Sequence, residues 1–298
     1  MEQRQHRKLV VAGSDGTLGA FLKERLGAEG LPLRCAAGEE GLAADGLADA
    51  EVVVNATGPR VRPGLSWADY HREHVGCAAR LARSMSAGGH LVHLSSTAVY
   101  GARGTWLDVA SAEAPLRFPN PAYACAKLAA EGILQRTCGE RGVRLSVLRL
   151  STVYGTGIDS VLETMLRFAR RGVAMRLVPG NLPQHWLRSD VLAAVVSKVA
   201  GGEAVPLAIV ADPYVLSSEE LHAALRRAAP RSVSAPVPVT AIGKAIGLLP
   251  RHLEPPGALA ALAVLGLGNE LEVAPLFDRL GLDPRAFGRE GLDALFSS

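Results

Sequence analysis

The chain has 298 residues, 48% of them apolar, long enough for one large domain or a domain with a smaller lobe. A net charge of +3 at that length argues against a nucleic-acid partner or an anionic membrane surface. Four scattered cysteines, with no CxxC and no histidine cluster at ligand spacing, argue against a metal centre or a disulfide frame.

The N-terminal MEQRQHRKLVVAG has no signal-peptide core, and the apolar stretch 257–268 is too short to span a bilayer. The expectation is a soluble, reduced, cytoplasmic protein. In chain order the pattern predicts a strand at 8–13, a helix at 17–30 and a second strand at 31–37, with Pro32 at its start. A third strand is expected at 50–58, a long helix at 67–89 ended by glycines, and a strand at 90–101 that runs into a loop. A helix at 122–142 and a strand at 143–155 follow. Alternating strands and helices, with strands apolar on both faces, predict an α/β Rossmann-type fold, a doubly wound parallel sheet. Prolines accumulate beyond about 156. Residues 1–155 are therefore read as a dinucleotide-binding domain, and 156–298 mainly as a smaller mixed substrate lobe that partly returns to the sheet.

The segment VVAGSDGTLG carries Gly13, Gly16 and Gly19 between the first strand and the first helix. Glycine there permits a tight turn and close backbone approach to a pyrophosphate, and the helix N-terminus adds N–H groups and a positive dipole end. Gly13, Asp15, Gly16, Thr17, Leu18 and Gly19 are the candidate cofactor contacts of this loop; the plain alternative is a tight strand–helix turn. Asn55, Ala56, Thr57 and Gly58 end the third strand at its carboxyl edge, where ligands lie in such sheets. No acid stands near the second strand until Glu39 and Glu40. Arg34 favours a 2′-phosphate and Asp15 opposes one, so NAD and NADP both stay open.

Tyr123 and Lys127 lie four apart on one helix face, and LSSTAVYG places Ser95, Ser96 and Thr97 at the end of a strand. A phenol with an ordinary pKa near about 10 is a poor base at neutral pH. A neighbouring ammonium, aided by an oxidised nicotinamide, favours the phenolate. Tyr123 then reads as the acid/base, Lys127 as its electrostatic partner and a ribose contact, and Ser96 as the group that orients the reacting oxygen.

These segments resemble the extended short-chain dehydrogenases/reductases, the group of NAD-dependent epimerases and dehydratases that act on nucleotide sugars. GSDGTLG is similar to the family's GxxGxxG, LSSTAVYG to its SSxxVYG, NPAYACAKLAAE to its NPYxxSKxxxE, and VLRLSTVYGTG to its LRxxNVYGPG. FDRLGLDPRAFGREGLDAL is similar to its terminal LGWxP…EGL segment. The resemblance covers residues 8 to about 200 well. It implies Ser96, Tyr123 and Lys127 as catalytic residues, with Tyr123, Lys127 and Leu150 also at the cofactor. It implies NAD or NADP as cofactor, a nucleotide sugar as substrate and a homodimer built on the helices at 67–88 and 123–139.

The departures narrow the expectation. Thr97 and Ala98 stand where the family's dehydratases carry an acidic pair, which disfavours dehydration, and Thr152 replaces the family's Asn. PQHWLRSDVLAA lacks the leading arginine that meets a nucleotide diphosphate, for which Arg188 is the candidate substitute. Thr97, Thr152 and Arg188 are thus the expected substrate contacts. His90 and His93 read as structural or exposed, Trp67 and Tyr70 as packing residues. The expected function is an NAD(P)-dependent nucleotide-sugar epimerase or ketoreductase. The alternatives are a reductase of a non-sugar carbonyl and a cofactor-binding protein without chemistry.

Overall fold

The structure is a computed structural model that describes residues 8–36, 44, 46–61, 64–101, 106–108, 121–155, 157, 158, 160–203, 205–247, 262, 265, 266 and 268–288. The chain divides into two compact units: 1–96 with 122–149 and 193–208, and 97–121 with 150–192 and 209–298. Glu39, Glu40 and the EGL end of the terminal motif lie outside the described residues.

The first unit opens with β1 (Leu9–Ala12), α1 (Thr17–Leu26), β2 (Glu29–Leu31) and β3 (Val52–Asn55). It continues through α2 (Trp67–His71), a π-helical turn at Arg72–Gly76, α3 (Cys77–Ser84) and β4 (His90–Ser96). α4 (Pro121–Arg141) and β5 (Arg144–Leu150) follow. One six-stranded sheet runs in the order 207–210, β5, β4, β3, β1, β2, with β2, β1, β3 and β4 paired in parallel. This is a Rossmann-type α/β sheet. VVVN of β3 is buried at all four positions, as expected for a parallel strand covered on both faces. Helix α1 stops at Gly27, whose φ of 60° lets its amide turn back to the carbonyls of Lys23 and Glu24. The core joins Val10, Ala12 and Val53 of the sheet to Leu81 and Met85, and to Leu134 and Cys138 of α4.

Several elements differ from the sequence expectation. The second strand precedes Pro32 instead of starting with it, because a residue without an N–H ends the ladder. The long helix expected over 67–89 runs unbroken through α2, the π turn and α3, and ends at Ser84, ahead of the glycines. The strand expected at 143–155 is interrupted at Ser151, with Thr152–Tyr154 a separate short strand. Trp67 is 46% exposed with its ring against His71, whereas Tyr70, His90 and His93 are buried.

In the second unit the helices Val161–Arg170 and Ser218–Ala228 and the strand Val173–Leu177 share a core. Leu162, Leu166, Leu221 and Leu225 on the two helices meet Tyr154 and Trp186 there. Ser217 and Glu220 close a capping box on the second of these helices, satisfying its first free amides from both sides.

Candidate active site

The glycine loop is shaped by contacts that a side chain would destroy. Gly13 has φ +81°, and a Cβ there would stand 2.7 Å from the carbonyl oxygen of Ala56. A Cβ on Gly19 would overlap the carbonyl of Gly13. The amides of Gly13 and Gly16 bond to Leu31 O and Gly13 O at 2.8 and 3.0 Å. Helix α1 has Gly16 as N-cap, no side-chain cap and no acid in its first turn. Its N-terminal dipole end is therefore left for an anion, and the bare backbone of the loop fits the pyrophosphate of a dinucleotide. Asp15 and Thr17 are exposed and Leu18 half-buried. Arg34 donates from Nε and Nη2 to Asp15 Oδ2 at 3.1 and 2.7 Å. The two charges that pulled the cofactor choice in opposite directions thus form one exposed pair.

The segment after β3 is held by its own side chains. Asn55 Oδ1 accepts from the amide and hydroxyl of Thr57 at 3.0 and 2.6 Å. That leaves its amide nitrogen to donate to His93 Nδ1 at 3.1 Å, so the His93 proton sits on Nε2. Burial, with the charge of Lys127, holds the His93 pKa well below its ordinary value, so this histidine is a neutral internal group.

Ser96 ends β4, and Tyr123 and Lys127 lie one turn apart on α4. The structure brings these three together. The Ser96 hydroxyl hydrogen-bonds the Tyr123 side chain, and Lys127 Nζ donates to the carbonyl of Leu94 at 2.9 Å. Burial pushes the Tyr123 phenol up to about 12 while the Ser96 bond opposes it, and the Lys127 charge is not among the causes. Sequence reasoning expected that ammonium to favour the phenolate; without a bound cofactor, desolvation dominates and the phenol stays protonated. Burial also brings the Lys127 ammonium down to about 8, with Glu131 opposing.

Glu131 and Arg149, which stand in the quoted motifs without an assigned role, Tyr70, read as a packing residue, and His74 support this cluster. Glu131 receives Arg149 Nη2 at 2.7 Å and the Ser95 hydroxyl at 2.5 Å. Tyr70 and His74 present their rings edge-on to Tyr123 at centroid distances of 5.7 and 5.4 Å. The motif positions of Glu131 and Arg149, and the i+4 spacing of Glu131 from Lys127, are usable signals; His74 carries none at sequence level.

The expected substrate residues belong to the second unit. Thr97 is half-buried in a 3-10 turn at Thr97–Tyr100, Thr152 is exposed and Leu150 is buried. Arg188 is engaged internally: Nε and Nη2 bond Asp190 at 2.6 and 2.9 Å, and Nη1 reaches the Gly288 carbonyl at 3.1 Å. Its own amide donates to Asp212 Oδ1 at 2.7 Å. Asp212 is buried, which raises its carboxyl to about 6, and it also accepts from the Tyr154 hydroxyl at 2.9 Å. Among the described residues no group of three or more His, Cys, Asp or Glu is placed to hold a metal ion, and no helix is long and apolar enough to cross a membrane.

The model of the NAD dependent epimerase/dehydratase family matches residues 9–187, more than half of the chain. The chain belongs to this family. Its members are NAD(P)-dependent enzymes of the extended short-chain dehydrogenase/reductase type, the group that the sequence motifs resemble. No curated protein matches the chain. Among solved structures it is similar to MoeE5 in complex with UDP-glucose and NAD, at 19% identity over 97% of both chains, with a TM-score of 0.73. It is similar to UDP-glucuronic acid 4-epimerase from Bacillus cereus in complex with NAD, at 12% identity over 97% of this chain and 95% of that one, TM-score 0.69. It is also similar to dTDP-4-dehydrorhamnose reductase from Bacillus anthracis in complex with NADP, at 15% identity over 97% and 98%, TM-score 0.64. At these identities the likeness is one of fold.

Proposed function

We propose that the protein is an NAD(P)-dependent epimerase or ketoreductase that moves a hydride to or from a carbinol carbon of a nucleotide-linked sugar. The observation that carries this reading is the Ser96–Tyr123 hydrogen bond with Lys127 one helical turn further on. Tyr123 is the acid/base. Its phenol, held near 12, is protonated at neutral pH and suits donation to an oxygen that gains charge as a carbonyl is reduced. Ser96 orients that oxygen, and Lys127 supplies positive charge beside it. The loop Gly13–Gly19 and the segment Asn55–Gly58 hold NAD or NADP, with Leu150 at the same cofactor; when bound, the dinucleotide accepts or gives the hydride. Residues 1–155 serve mainly the cofactor and 156–298 mainly the substrate; Thr97, Thr152 and Arg188 are the proposed substrate contacts, the first two supplied from within 1–155. The NAD- and NADP-bound neighbours support the cofactor class, and the UDP-glucose complex supports the sugar. The protein acts as a cytoplasmic homodimer in biosynthesis.

A second reading, reduction of a non-sugar carbonyl, is favoured by one observation. Arg188 spends its guanidinium on Asp190 and the Gly288 carbonyl, which leaves less of it for a diphosphate.

The test is to denature the purified protein and weigh any released dinucleotide. Stoichiometric NAD supports an epimerase that retains its cofactor through the cycle. An empty protein stabilised in a melt by NADH or NADPH supports a reductase with an exchanging co-substrate. An empty protein indifferent to both sinks the enzymatic reading.

A further inference from the structure

His74 stands in a π-helical turn, the kind of single-turn bulge that gathers at functional sites. Its ring is buried. Nε2 lies 3.1 Å from the carbonyl oxygen of Pro59, and since a carbonyl only accepts, that nitrogen carries the proton. The ring is edge-on to Tyr123, at 78° and 5.4 Å between centroids. Tyr70, one turn earlier, lies parallel to His74 at 6.1 Å and edge-on to Tyr123 at 5.7 Å.

On another side the imidazole meets backbone. Gly58 has φ +91°, and a Cβ there would overlap His74 Nδ1. The segment that ends β3 therefore lies directly against the ring. Burial comes first among the causes that keep the imidazole neutral, followed by the charge of Lys127; the carbonyls of Pro59 and Thr57 pull the other way and lose. A neutral, singly protonated ring thus has one side bonded to the segment after β3 and another packed on the phenol.

We propose that His74 is a positioning residue that couples the Asn55–Pro59 segment to the ring of Tyr123, so that the cofactor-side backbone and the acid/base phenol are held as one body. The inference rests on the reading of Tyr123 as acid/base and of Asn55–Gly58 as cofactor wall. A residue that only filled space would need the ring but not its N–H.

Two variants separate these roles. His74→Phe keeps a ring against Tyr123 and removes the N–H bond to Pro59. His74→Ala removes both. The readouts are NADH and NADPH affinity by calorimetry, and the ionisation of Tyr123 by tyrosinate absorbance, taken as the difference from a Tyr123→Phe protein. Both variants are expected to bind the dinucleotides about five- to tenfold more weakly, the loss that one internal hydrogen bond represents. Only His74→Ala is expected to bring Tyr123 ionisation below about pH 11, because water then reaches the phenol. If both variants bind like wild type and leave Tyr123 ionisation unmoved, His74 is packing alone and the proposal is overturned. A wild-type protein that binds neither dinucleotide would overturn the proposed function instead, and the ionisation arm would then judge the His74–Tyr123 coupling by itself.

Discussion

Arg149 and Glu131 form a buried ion pair, with Nη2 2.7 Å from Oε2 and Nε 3.1 Å from Oε1. Glu131 lies four residues beyond Lys127 and eight beyond Tyr123 on α4, so one face of that helix carries the phenol, the ammonium and the anchor. Arg149 is on β5 and Ser95, which shares Oε1, is on β4. The pair thus ties the helix that bears the candidate acid/base to two central strands, and fixes how far Tyr123 stands from Ser96.

Breaking this pair should cost more than breaking any surface pair of the chain. Glu131→Gln keeps the shape but leaves a buried guanidinium without its counter-charge, for an expected loss of about 3–5 kcal/mol in urea unfolding. Replacing both partners with apolar residues is expected to recover most of it. A Glu131→Gln protein as stable as wild type would show that the pair does not anchor α4.

Lys127 should make stability depend on pH in a defined window. Its folded pKa is about 8 and its ordinary value 10.5. Between these limits the unfolded chain binds more protons, so this residue's contribution grows more favourable as pH rises. Below pH 8 the buried charge costs on the order of 3 kcal/mol. Lys127→Met is therefore expected to be about 1–3 kcal/mol more stable than wild type at pH 7, with the difference closing towards pH 10.5, while turnover is lost. Thermal melts across that range check the sign.

Tyr123→Phe removes only the hydroxyl that Ser96 bonds. Turnover should fall by about 10²–10⁴, the share that general acid–base catalysis contributes, while dinucleotide affinity changes little. Steady-state kinetics beside calorimetry reads both quantities. Unchanged turnover would remove the acid/base role.

The glycine loop allows a controlled comparison. Gly13→Ala forces a side chain into φ +81° and to 2.7 Å from a backbone oxygen, and should lose at least about tenfold in dinucleotide binding along with roughly 1–3 kcal/mol of stability. Gly27 also has positive φ, +60°, but a Cβ there meets nothing within 4 Å. Gly27→Ala should therefore cost about 1 kcal/mol and leave binding unchanged. If both variants bind equally, the loop is a turn and not a cradle.

The Asp15–Arg34 pair should govern cofactor choice and contribute little to stability. Arg34 is 68% exposed, so Arg34→Ala is expected to change stability by less than about 1 kcal/mol. It should weaken NADPH more than NADH, because the guanidinium is the group there that favours a 2′-phosphate. The reverse variant, Asp15→Asn, should shift the ratio towards NADPH. Salt titration of both affinities separates this charge effect from packing, since an exposed pair is screened.

What the sequence determined by itself is local. Strand–glycine–helix order, the buried Val runs and the Tyr123–Lys127 spacing are short-range patterns, and the parallel α/β fold and the candidate site of Ser96, Tyr123 and Lys127 follow from them. The second strand is expected past Pro32 because the pattern does not register a proline's missing N–H, and the helix over 67–89 past Ser84 because it does not register the extended backbone at Met85. Only the tertiary structure decided which charges meet. Asp15 meets Arg34 in an exposed pair, Arg188, read as a substrate contact, meets Asp190, and Glu131 meets Arg149 in the buried pair that anchors α4. It also decided that Tyr123 is held protonated and that His74 stands beside it, since desolvation and ring contact depend on what the folded chain packs around a group and not on its neighbours in sequence.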